Sequence, residues 1–97
     1  MLEVDVELLL NLFDAAIIIG IAVPTLYMAT KVKQPKLRML TILLASFLVV
    51  HGLYHGAAAL GTLPGLDIVG ISSDLLIEPI GWLLFFAFAV YFLRNSV

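Results

Sequence analysis

Lys31-Val-Lys-Gln-Pro-Lys-Leu-Arg38 gathers four of the chain's five basic residues around a single proline, and apolar sequence flanks it on both sides. The stretches 6–30 and 37–60 are each long enough, at about 1.5 Å of rise per residue, to cross the ~30 Å hydrocarbon layer of a bilayer as a helix. The basic segment between them therefore reads as a short polar turn joining two antiparallel spans.

Working toward the N-terminus, the first stretch is interrupted by Asn11 and Asp14, and Pro24 is a candidate kink. Glu3, Asp5 and Glu7 stand where a cleavable signal needs positive charge, so the N-terminus is expected to be retained. Working toward the C-terminus, the segment 61–73 holds three glycines and one proline among leucines and isoleucines, a pattern that predicts a re-entrant or interfacial loop without helix. A third span is expected over 73–93, capped by Ser73 or Asp74, running through Trp82 and a phenylalanine-rich run, and closed by Arg94. Pro79 lies either in the first turn after a cap at Glu78 or within a helix already begun at Ser73, and the second arrangement fills the bilayer better.

Composition agrees with this division. Of 97 residues, 63% are hydrophobic and 12% charged, against about a quarter charged in an ordinary soluble domain. A soluble core of this size could not hide so many apolar side chains. The expected fold is an all-α, three-helix transmembrane bundle, with residues 1–97 forming one domain. The absence of cysteine excludes disulfides, thiolate metal sites and cysteine nucleophiles within this chain.

Charge sets the expected orientation. Lys31, Lys33, Lys36, Arg38 and Arg94 fall at one end of the three spans, while Glu3, Asp5, Glu7, Asp14, Asp67, Asp74 and Glu78 fall toward the other. The positive-inside rule then places the N-terminus outside and the basic turn and C-terminus in the cytoplasm of a plasma membrane, with Tyr27 and Tyr91 in an inner aromatic belt.

Helical rise brings the unusual polar residues to one depth. Asp14 lies roughly 10 Å inside helix one, His51 and His55 roughly 20 and 27 Å along helix two, and Glu78 about one turn into helix three. Such groups should face one another, water or a neighbouring subunit rather than lipid. The functional reading is a metal site or proton path in which His51 and His55 share a helix face, Asp14 or Glu78 completes the shell, and copper or zinc fits the ligand set. The structural reading is that the histidines donate to the carboxylates and lock the helices together. Gly52 and Gly56, continued by Ala45 and Ala59, form a small-residue stripe, and Ala16 and Gly20 offer a matching one, so the two stripes can meet within the chain or engage a partner.

The stretches Thr25-Leu-Tyr-Met-Ala-Thr-Lys31, His51-Gly-Leu-Tyr-His-Gly56 and Ser72-Ser-Asp-Leu-Leu-Ile-Glu-Pro-Ile-Gly-Trp82 resemble small three-span archaeal membrane proteins. Within that group the chain is similar to a small accessory subunit of archaeal ammonia monooxygenase, a copper-dependent membrane enzyme. In that family the larger subunits supply the copper ligands, so the resemblance implies a scaffold role, and it carries no ligand over onto His51 or His55.

No nucleotide-binding glycine loop, nucleophile elbow or zinc-protease helix is present, and no catalytic residue is assigned. The expected role is a non-catalytic accessory subunit of a larger membrane enzyme, contacting the bilayer and larger integral membrane subunits but no nucleic acid. The rival expectation is a metal-handling or proton-conducting homo-oligomer lined by Asp14, His51, His55 and Glu78.

Overall fold

A computed structural model describes residues 2–95, with side chains from position 6 onward. The order of elements is α1 (Leu2–Lys31), α2 (Pro35–Leu60), α3 (Asp67–Ser72), a π-helical turn (Ser73–Ile77) and α4 (Glu78–Asn95). Three helical rods, Val6–Lys31, Pro35–Leu60 and Asp67–Asn95, are long and apolar enough to cross a membrane. The side chains of Glu3 and Asp5 lie outside the described residues.

The interior is built from small side chains. Ala22, Ala29, Ala45, Ala59, Gly52, Gly81 and Ser73 are buried, whereas Phe13, Leu83 and Leu93 are 64%, 67% and 70% exposed. Water gives no reason for that inversion. Between helices in lipid, however, close backbone approach replaces hydrophobic burial as the source of attraction. The surface of 6685 Å² is likewise larger than the ~5,500 Å² expected of a compact soluble monomer of this mass.

The basic turn is held by its own residues. Pro35 occupies the first turn of α2, where its missing N–H costs nothing. The Arg38 Nε–H donates to the Val32 carbonyl at 3.0 Å, which fastens the start of α2 to the end of α1. The Lys31 ammonium rests over the Tyr27 ring, 5.3 Å from its centroid.

At the other end the structure corrects the expected long loop. Only 61–66 lie outside helix, and the third rod starts at Asp67. Gly61 does end α2, as its C-cap, whereas Gly70 lies inside α3. A Cβ on Gly61 would come within 2.6 Å of the Gly70 Cα, so both glycines serve a backbone-to-backbone contact that lets α3 dock on the end of α2. Gly65 supplies the left-handed residue of the turn, with φ at 81°.

Pro79 accordingly lies inside a continuing helix. In a regular α-helix its ring would press on the carbonyl of Leu75, four residues back. The wider π turn removes the conflict: the Glu78 N–H reaches the Ser73 carbonyl, five residues back, and proline follows immediately. Ser73 is fully buried at this point and donates its hydroxyl to the Gly70 carbonyl at 2.8 Å.

The three rods form a row, with α2 in the middle. Among the described residues α1 and α4 each pack on α2 and make no contact with one another. Two neighbouring positions of α2 explain the row. A Cβ on Gly52 would meet Ile19 of α1, while Val50 stands 3.5 Å from where a Cβ on Gly81 of α4 would be. Two residues apart on a helix means roughly 200° apart around its axis, so the seams lie on opposite sides of α2. The molecule measures 52 × 23 × 16 Å, a flat slab of helices.

Candidate functional site

The geometry of α2 gives the slab two unlike faces. His51 lies about 100° from both Val50 and Gly52, so it points out of one broad face, midway between the seams. The opposite face carries Ile42, Leu53 and Leu60, which are 39%, 56% and 48% exposed.

On the histidine face, His55 reaches toward α1. Its Nδ1 is 3.1 Å from Asn11 Oδ1 and 3.9 Å from Asp14 Oδ2. The Asn11 amide is oriented by its own helix, because its Nδ2 donates to the Glu7 carbonyl at 3.1 Å. That leaves Oδ1 facing the imidazole as an acceptor, which assigns the His55 proton to Nδ1 and leaves Nε2 as the free nitrogen. The His55 side chain is 19% exposed and that of Asp14 51% exposed, so the carboxylate stands at the open edge of the contact.

His51 leans toward the α4 seam. Its ring stacks on Phe47 with centroids 5.3 Å apart and meets Trp82 of α4 at 5.9 Å. Phe47 also touches Phe85 at 5.1 Å. The two histidines meet edge to face at 4.8 Å, which links the α1 seam to the α4 seam across the top of α2. Tyr54, one turn along, lies within electrostatic reach of the Asp74 and Glu78 carboxylates, and His51 is within reach of Glu78 and Asp14.

Of the four candidate ligands, the structure thus brings Asp14, His55 and His51 into one continuous contact and leaves Glu78 at its edge beside Tyr54. Among the described residues no three His, Asp or Glu side chains converge as a metal-binding group. Above the histidines, a cleft of about 510 Å³ opens at the acidic end, where Glu7, Asp67 and Asp74 approach Asn11, Tyr54 and Thr62.

Of the two small-residue stripes, only part lies in the contact between α1 and α2. Gly52 contacts Ile18 and Ile19, whereas a Cβ on Gly20 or Gly56 would find nothing within 4 Å. Ala16 is exposed and Ala59 fully buried. At the basic end Lys31, Lys33, Lys36, Arg38 and Arg94 are all exposed. The sequence marks Asn11 as an interruption of the first span but gives neither Asn11 nor Tyr54 a place in the site. Asn11 lies one turn from Asp14, and that spacing was the available signal.

No family model, curated protein or solved structure matches this chain.

Proposed function

We propose that the chain is a non-catalytic accessory subunit of a larger membrane enzyme complex, spanning the plasma membrane with its N-terminus outside and its C-terminus in the cytoplasm. The observation that carries the reading is the asymmetry of the slab. One broad face offers the half-exposed Asp14 with His55 and His51, and the other offers Ile42, Leu53 and Leu60. A carboxylate near the centre of a lone span costs about 2.5–3.5 kcal/mol against lipid. The histidine face therefore suits a protein partner, and the aliphatic face suits hydrocarbon.

A slab whose buried residues are alanine, glycine and serine also leaves little room for chemistry of its own. The sequence resemblance supplies a concrete candidate for the complex, a copper-dependent ammonia monooxygenase in which larger subunits hold the metal. Isolation from native membranes, followed by mass spectrometry and metal analysis, tests the reading. Stoichiometric large membrane subunits should accompany the chain, and Asp14→Leu should weaken their association.

A second reading rests on the edge contact between His51 and His55. Two copies meeting through this face would double the imidazoles and complete a copper or zinc site or a proton path. A homo-oligomer isolated with stoichiometric copper or zinc, lost in His51→Ala, would favour that reading and end the accessory one.

A further inference from the structure

At the basic end α4 diverges from α2 and opens a groove of about 590 Å³. Leu43, Phe86 and Val90 line its apolar part, while Tyr91, Arg94 and Asn95 line it at the last turns of α4. The Phe86 to Arg94 stretch runs about 12 Å along the helix axis, so the groove passes from the polar end of the rod into its apolar length.

Arg94 stands at the polar end of the groove and is exposed. Among the described residues it makes no ion pair, and Glu78, the nearest acid along the rod, stands sixteen residues earlier, about 24 Å up the axis. The four other basic residues lie at the same end of the rods. The opposite face of the same seam has a smaller groove of about 240 Å³, lined by Leu40, Leu44, Phe88 and Phe92 among others and without a charged residue. One groove thus joins an apolar channel to a guanidinium, and the other offers the channel alone.

We propose that the groove between α2 and α4 binds one anionic glycerophospholipid, with an acyl chain along Leu43, Phe86 and Val90 and its phosphate on Arg94. Guanidinium suits this role because its planar fork donates two parallel hydrogen bonds to a phosphate. The position suits it because the last turn of a membrane-spanning helix lies at headgroup level. The inference rests on the membrane-spanning character of the three rods and not on the accessory-subunit reading.

Native mass spectrometry of the full chain in mild detergent, supplied with phosphatidylglycerol or phosphatidylcholine, tests the proposal. One phosphatidylglycerol should be retained in preference to phosphatidylcholine. Arg94→Gln should lower its occupancy about fivefold or more, the factor expected for loss of one basic contact near a headgroup. Arg94→Lys should retain part of the binding. Ala87→Trp, which fills the groove, should abolish it with helix content unchanged by circular dichroism, and Lys33→Gln should leave it intact. Equal retention of the two lipids, an unchanged Arg94→Gln or a Lys33→Gln that loses as much would each overturn the site. Competition by glycerol phosphate as effective as that by the intact lipid would also overturn it, because the acyl channel would then contribute nothing.

Discussion

Gly52 of α2 stands so close to Ile19 of α1 that a Cβ on the glycine would come within 2.6 Å of the isoleucine Cδ1 and 2.8 Å of its Cγ1. This contact lies in the α1 seam, and a larger residue at 52 has to turn the Ile19 side chain aside or shift α1. Gly52→Val should destabilise the helix pair by about 1–3 kcal/mol, the range for overpacking a tight site. Adding Ile19→Ala should recover part of the loss, while Gly56→Ala should be close to neutral because nothing lies within 4 Å of its Cβ position. Thermal unfolding in detergent of the two single variants and the double variant measures the coupling.

How far the sequence disclosed this arrangement differs from residue to residue. The three spans and the basic turn were legible because length, hydropathy and the lysines around Pro35 are local properties of the chain. The helix over Asp67–Ser72 was not, because Gly70 reads as a breaker until its backbone is seen to touch that of Gly61. The open row was hidden for a related reason. Gly52 and Val50 occupy opposite sides of α2, but nothing in the sequence says which neighbour each one meets. Depth counting along the helices placed Asp14 near His55 in height, and the two lie 3.9 Å apart. It could not show that Asn11 Oδ1 takes the nearer position, because that depends on the rotation of α1 about its axis.

The turn that admits α3 gives a graded prediction. Gly65 has a positive φ but open space around it, so Gly65→Ala should cost only the backbone strain, about 1 kcal/mol. At Gly61 the new Cβ would strike the backbone of Gly70, which cannot rotate away as a side chain can. Gly61→Ala should therefore be the more damaging of the two, and hydrogen exchange should show it through faster opening of 61–72 with the rest of α2 protected. Equal effects at the two positions would mean that the glycine contact does not hold α3.

Asn11 and His55 form a hydrogen bond between two membrane-spanning helices, and such bonds are worth about 0.6 kcal/mol on average and up to about 1.7. A double-mutant cycle of Asn11→Ala and His55→Ala should return a coupling in that range. Asn11→Leu should be worse than Asn11→Ala if the added bulk displaces α1 from His55. A coupling indistinguishable from zero would show that the imidazole finds another partner when Asn11 is removed, with Asp14 the nearest candidate.

Orientation follows from where lysine and arginine end up, since a cytoplasmic excess of these residues sets the direction of insertion. All five sit at one end, and the turn 61–66 forms the opposite end of the slab. The chain contains no cysteine, so a single introduced thiol reports one position without background. Lys33→Cys should resist a membrane-impermeant maleimide in intact cells and react once the membrane is permeabilised. Pro64→Cys, in the exposed part of the other turn, should react in intact cells. The reverse pattern would place the acidic cleft and the half-exposed Asp14 toward the cytoplasm and would overturn the proposed orientation. Labelling of both positions in intact cells would go further, because the two turns terminate the same α2 rod at opposite ends and cannot share a side if that rod spans the bilayer.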